Sequence, residues 1–302
     1  MSKRRQVGQV LSVLSALLLH SNIQGWLVYM NLPYAYWINF QDPMERQHRF
    51  GLQFSGVPRT THHMVNSSDN IQLGVWHTRP AMSSSPKRVV LYLHGNAASR
   101  AHSGEVRKYE KLSLPPFNAH VVSFDYRGFG DSTGWPTEKG LYDDAKNVFA
   151  WLVETLAVEP QNIVVYGHSL GTGVTVGTVK DLCRDSECPG AIILESPFTS
   201  IADVVHGFVP FPGVKRFLDG VLHHPFKSVD QIQHVDCPVF IAHGNRDRII
   251  ASSHGYHLYQ KRRERDDRVT YVEVADAGHD DVVVFEEFEI QLRKWWNHTV
   301  FN

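Results

Sequence analysis

From about residue 70 onward, short unbroken apolar runs alternate with longer amphipathic segments. The short runs are Leu73–Thr78, Val89–Leu93, Val121–Phe124, Ile163–Tyr166, Ala191–Glu195, Val239–Ala242 and Thr270–Val274. Most are built of Val, Ile, Leu and Tyr without polar alternation, which predicts strands covered on both faces, as in a parallel sheet. The segments between them predict helices over Ser103–Ser113, Thr137–Leu156, Leu170–Cys183, His254–Arg263 and Val283–Asn297. Thr137 is placed to cap the second of these. No repeat interrupts the series, and strand–helix alternation predicts one doubly wound, mostly parallel α/β sheet. About forty residues separate Glu195 from Val239, too many for a plain connection. The stretch 199–236 is therefore expected to be a lid or binding element. Its Phe208, Phe211, Phe217, Leu218 and Phe226 either face an apolar ligand or pin the insertion to the core.

The first forty residues follow another pattern. After Lys3, Arg4 and Arg5 no Asp, Glu, Lys or Arg appears until Asp42. Two apolar stretches, Val7–Leu19 and Trp26–Phe40, are separated by His20, Ser21, Asn22 and Gln24. A bilayer span takes about 20 predominantly apolar residues, so the interruption makes a continuous span marginal. A signal anchor, a cleaved signal peptide and an interfacial helix compete with a segment docked on the domain's own core. No small-x-small site closely follows Leu19, and Trp26, Tyr29, Tyr34, Tyr36 and Trp37 are residue types that settle at headgroup level. The expectation is an N-terminal membrane-anchoring segment over residues 1–41 and an α/β domain over 42–302. Lys3–Arg5 would stay cytoplasmic, sending the domain to the lumenal or outer side. The sequons Asn66-Ser67-Ser68 and Asn297-His298-Thr299 would suit that side.

Charge narrows the partners. With 30 Lys+Arg against 31 Asp+Glu the chain has no basic field to hold a phosphate backbone, so no nucleic-acid partner is expected. Three cysteines without a CxxC pair exclude a disulfide scaffold and a Cys-rich zinc module, leaving one bridge open. The pairs His62-His63 and His223-His224 lack a Cys or carboxylate at ligand spacing, so no metal site is expected.

The chemistry lies in Val164-Val165-Tyr166-Gly167-His168-Ser169-Leu170-Gly171-Thr172-Gly173, where an apolar strand runs through G-x-S-x-G into a helix. This context fits a nucleophile elbow, a strained turn that lifts a serine clear of the sheet. Glycines at 167 and 171 let strand and helix approach closely. A serine hydroxyl needs a base, and the base needs an orienting acid. Asp247 follows the strand Val239–Ala242, and His279 follows the strand Thr270–Val274. In this arrangement the order is serine, acid, histidine, and all three fall at the carboxyl edge of the sheet, where open α/β sheets bind ligands. Asp276, Asp280 and Asp281 flank His279, but sequence neighbours rarely reach the imidazole, and Asp280 and Asp281 are read as caps of the final helix. His168 is read as an elbow filler and His243 as a packed residue. An oxyanion hole takes two backbone N–H donors. Leu170 supplies one, and the loop His94-Gly95-Asn96-Ala97-Ala98 the other, from Asn96 or, next, Ala97. Acyl transfer to water through these groups requires no cofactor or metal.

These residues carry a resemblance. IQLGVWHTRPA, LYLHGNAASR, VVSFDYRGFGDSTGWPTEKGLYDDA, YGHSLGTGV and ILESPFTSI resemble the α/β-hydrolase-domain lipases, nearest the membrane-anchored lysophosphatidylserine and monoacylglycerol lipase subfamily. The likeness is tight from Ile71 to Cys183, continues through Phe198 and loosens beyond. It implies the α/β-hydrolase fold and a Ser–Asp–His triad at Ser169, Asp247 and His279. It also implies a lipid substrate with one acyl chain and a membrane-attached enzyme of the endoplasmic reticulum with a lumenal catalytic domain. The expected function is a serine hydrolase cleaving the acyl ester of a lysophospholipid or monoacylglycerol. The alternatives are a thioesterase acting on acylated protein cysteines and a non-catalytic binding domain built on the hydrolase fold.

Overall fold

Five strands carry the parallel core: β5 (Val89–Leu93), β6 (His120–Phe124), β7 (Ile163–His168), β8 (Ala191–Glu195) and β9 (Val239–Gly244), with β10 (Val269–Val274) beyond them. Every residue of the first five is buried, as the unalternating runs require. The computed structural model describes residues 24, 28–29, 40, 47–49, 52–54, 57–82, 88–211 and 213–299. Two antiparallel strands, β3 (Thr60–Asn66) and β4 (Gln72–Thr78), complete an eight-stranded sheet in the order β10-β9-β8-β7-β5-β6-β4-β3. A separate two-stranded hairpin, β1 (Gln47–Arg49) and β2 (Leu52–Phe54), precedes them. Val89, Leu91 and Leu93 enter the core on one face of the sheet. Val90 and Tyr92 enter the core on the other.

The main covering helices are α1 (Ser103–Ser113), α2 (Glu138–Thr155), α3 (Leu170–Arg184), α7 (Ser252–Arg263) and α8 (Glu286–Thr299). The Thr137 hydroxyl accepts the Gly140 N–H at 3.0 Å, closing one orphan donor at the start of α2. Strand order reverses beside β5, which lies between β6 and β7. That reversal opens a crevice at the carboxyl ends of the strands, and the loops after β5 and β7 both empty into it. Cys183 and Cys188 form a disulfide at the end of α3, while Cys237 is buried and free.

Three elements depart from the sequence pattern. β3 reads Thr-Thr-His-His-Met-Val-Asn, of which only Val65 is buried, and it is held by pairing with β4 along seven residues. The insertion is helical, with α4 (Ile201–Phe208), α5 (Val214–Val221) and α6 (Ser228–Gln231). Its Phe226 is fully buried among the rings of Tyr29, Tyr142 and Phe198 and pins the insertion to the core, whereas Phe208, Phe211 and Phe217 are exposed. The last helix starts at Glu286, because Val282–Val284 forms a single 3₁₀ turn that buries Val282 and Val283. Asp281 accordingly precedes the 3₁₀ turn rather than the final helix, and its carboxylate makes no cap bond but accepts the Gly278 N–H at 2.6 Å.

The expected N-terminal membrane-anchoring segment, and the membrane-attached, lumenal placement in the endoplasmic reticulum that rested on it, require correction. Among the described residues no helix is long and apolar enough to cross a membrane. Most of residues 1–41 lie outside the described residues, and those described are packed against the α/β domain. Gln24 donates to the Val221 carbonyl at 2.7 Å and accepts the His223 N–H at 2.7 Å, tying it to the insertion. The buried Tyr29 ring meets Phe129, His224 and Phe226, and its carbonyl accepts the Ala97 N–H at 3.3 Å. Phe40 lies buried, with its carbonyl accepting the Trp76 indole N–H at 2.8 Å. Of the aromatics that read as headgroup residues, Tyr29 is thus a core residue, and burying one large ring is worth several kcal/mol. Tyr29→Ala is expected to lower unfolding stability by about 3–5 kcal/mol, as for other large aromatic truncations. Urea denaturation of the purified chain checks this, and an unchanged midpoint would show that the segment contributes nothing to the domain.

Candidate active site

β7 ends in a turn whose backbone only a tightly held residue tolerates. Ser169 sits at φ 51° and ψ −117°, a region L-residues rarely enter. A Cβ on Gly167 would collide with the Gly171 carbonyl, and one on Gly171 with the Leu93 carbonyl. Strand β7, helix α3 and the end of β5 therefore pack closer than side chains allow, and the Ser169 side chain is raised out of the turn. The Ser169 N–H is anchored to the Glu195 carbonyl on β8 at 3.0 Å.

Two other strand ends converge on it. His279 Nε2 lies 2.9 Å from Ser169 Oγ, and His279 Nδ1 lies 2.7 Å from Asp247 Oδ2. The other Asp247 oxygen accepts the Ile249 and Ile250 N–H groups, both at 2.8 Å. Burial alone would raise the Asp247 pKa, but hydrogen bonds from His243 and His279 hold its carboxyl well below the usual carboxylate range. Asp247 is consequently an acceptor at any ordinary pH, and it favours the tautomer that leaves His279 Nε2 free to take a proton from Ser169.

His243, read from the sequence as a packed residue, is indeed wholly buried, yet its Nε2 lies 3.2 Å from Asp247 Oδ2 and 2.9 Å from the Ile250 carbonyl. Its position four residues before Asp247 was the one signal available. Of the oxyanion candidates, Ala97 is at φ 52° with its N–H engaged by Asn96 Oδ1 at 2.9 Å and by the Tyr29 carbonyl. Asn96 and Ser169 both line one cavity of about 360 Å³, together with Lys108, His168, Ile249 and Asp280. None of the described residues of 199–236 lines it. His168, His279 and Asp280 bring potential ligand atoms within 4.8 Å of one another. All four imidazole nitrogens there already face hydrogen-bond partners, so the group is no ready metal cradle.

An open, mostly parallel sheet with a serine on a strained elbow, and a histidine and a carboxylate within hydrogen-bond reach, defines an α/β hydrolase. A family model described as alpha/beta hydrolase fold matches residues 88–209. The chain is 32% identical over 301 residues to the lysophosphatidylserine lipase ABHD12 of Macaca fascicularis, covering 89% of this chain and 72% of the relative. It is 35% identical over 267 residues to the Danio rerio protein of the same name, covering 79% and 66%. Among solved structures, an esterase of Pyrococcus furiosus superposes with a TM-score of 0.64 at 21% identity, over 80% of this chain and 91% of that one, which speaks for the fold. The chain belongs to the α/β-hydrolase family, in the subfamily of the lysophosphatidylserine lipase ABHD12, and is a serine hydrolase.

Proposed function

We propose that the chain hydrolyses the acyl ester of a glycerol-based lipid with a single acyl chain, a lysophospholipid of the lysophosphatidylserine kind or a monoacylglycerol. The observation that carries the reading is the 2.9 Å contact between Ser169 Oγ on the elbow and His279 Nε2. The relatives' activity on lysophosphatidylserine supports the substrate class. Ser169 Oγ attacks the ester carbonyl as its proton passes to His279 Nε2, and Asp247 stabilises the resulting imidazolium. The N–H groups of Asn96 and Leu170 receive the oxyanion, a contribution of about 10²–10³ in rate per donor. Collapse expels the glyceryl alkoxide, which takes the proton from His279 and leaves as the alcohol, with the acyl group on Ser169. Water then attacks with His279 as base, releasing the fatty acid and restoring the serine. No step requires a metal or cofactor.

Fatty-acid release from lysophosphatidylserine and from monoacylglycerol, by wild type beside Ser169→Ala, tests this reading. The variant is expected to lose about 10⁶-fold in turnover, as loss of a nucleophile does elsewhere. The ratio of the two wild-type rates assigns the head group. Ser169-independent release, or none from either lipid, would overturn the substrate assignment and make acylated peptides the next substrates to try.

A further inference from the structure

His168, the residue before Ser169, occupies a position between two acceptors. Its Nδ1 lies 3.2 Å from a Glu105 carboxylate oxygen, and its Nε2 lies 3.3 Å from the backbone carbonyl of His279. A neutral imidazole carries one N–H and one lone pair, so it can satisfy only one of these partners. The doubly protonated ring satisfies both. The same carbonyl also accepts the Ser196 hydroxyl at 3.0 Å, so His279 is held at its backbone from two sides while its ring works between Ser169 and Asp247.

The charges behind the ring ask for the same protonation state. Lys108 Nζ, on a side chain 1% exposed, lies 3.4 Å from Glu105 and 3.0 Å from Glu195, whose side chains are 4% and 0% exposed. Tyr92 donates its hydroxyl to Glu105, and Tyr166 donates to Glu195 at 2.8 Å. Two buried carboxylates against one ammonium leave an uncompensated negative charge, which a protein interior does not hold cheaply. An imidazolium at His168 cancels it. Asp280, 3.6 Å from His168 Nε2 and largely in solvent, adds a further negative group on the same side. Burial and Lys108 oppose charge on His168, but Glu105 and Glu195 outweigh them and raise its pKa. Glu105 is held well below the carboxylate range despite burial, by Lys108 and His168. One Glu105 oxygen also accepts the Gly95 N–H at 3.2 Å, at the head of the loop that carries Asn96. A single buried carboxylate thereby joins the oxyanion loop to His168, and His168 joins it to the histidine loop.

We propose that His168 is a positioning residue, kept as an imidazolium by Glu105, that fixes the backbone of His279 relative to Ser169 and the oxyanion loop. This inference rests on the Ser169–His279–Asp247 reading of the site. The groups that set its charge are Glu105 and Lys108 on α1, Glu195 on β8, and His279 and Asp280 after β10. As pH rises through the pKa of His168 the second donor is lost, the carbonyl of His279 loses that support, and a buried negative charge is exposed. Turnover should therefore fall along an alkaline limb that belongs to His168.

Two measurements test this. Ring-nitrogen NMR of the unmutated chain, with His168 assigned by comparison with His168→Gln, is expected to show both nitrogens still protonated as the pH rises past about 6.5, the free side chain's pKa. A neutral ring there would overturn the proposal. The pH profile of kcat and KM for Glu105→Gln is expected to show the alkaline limb of kcat moved down by about one pH unit or more, as loss of a partner carboxylate allows, with KM nearly unchanged. A limb that stays in place would also overturn it. Should Glu105→Gln not fold, the NMR result on the unmutated chain decides alone. Fluorophosphonate labelling of the wild type, run beside these, separates a failure of the triad reading from a failure of this one.

Discussion

Asp247→Asn is expected to lower kcat for ester hydrolysis about 10⁴-fold while leaving the fold intact. One carboxylate oxygen holds the Ile249 and Ile250 N–H groups, and the other faces His279 Nδ1. An asparagine keeps its carbonyl oxygen on the two amides, because turning it would leave both donors unpaired. Its NH₂ then points at His279 Nδ1 and demands a lone pair there. The ring must carry its proton on Nε2, where it can no longer accept from Ser169. The loss should appear in kcat against a soluble short-chain ester, with an unchanged circular dichroism spectrum. Near-full activity would mean that another acid, such as Asp276 or Asp280, orients His279.

A stability effect as large as that at Tyr29 is expected at Arg100. Its guanidinium is wholly buried, paired with Asp125 and, at 2.7 Å, with Asp131, and it lies over the rings of Phe40 and Trp76 at 4.7 and 5.3 Å. Asp125 is wholly buried too. Replacing Arg100 with methionine keeps bulk but leaves the Asp125 carboxylate without its cation, in a site that also supports the loop after β5. Removing one partner of a buried pair costs about 3–5 kcal/mol, which for a domain of this size lowers Tm by roughly ten degrees. Thermal and urea unfolding measure it. An unchanged midpoint would show that Asp125 is protonated or hydrated in the folded chain.

Much of this architecture was legible because its determinants are local. The runs Val89–Leu93 and Ala191–Glu195 are strands with those same bounds, and Ser103–Ser113 is a helix with those same bounds. In each case burial on two faces, or amphipathic spacing, leaves a periodic trace. The residues Ser169, Asp247 and His279 were marked by where strands end, and strand ends in this sheet share one edge. What escaped depends on partners distant in sequence. β3 is polar because its support comes from pairing with β4 rather than from a buried face. Tyr29 reads as a headgroup aromatic because nothing nearby reveals that Phe129, His224 and Phe226 surround it. Glu105 and Lys108, three apart on a helix, have the spacing of a solvated surface pair. Only the fold reveals that they are buried beside His168 and Glu195.

The central claim is that Ser169 is the nucleophile of a serine hydrolase, and covalent labelling tests it most directly. The wild type treated with a fluorophosphonate should gain one adduct, located by peptide mass spectrometry on Ser169. Ser169→Ala should gain none, and Asp247→Asn should label much more slowly. An adduct at another serine, or undiminished labelling of Ser169→Ala, would contradict the account.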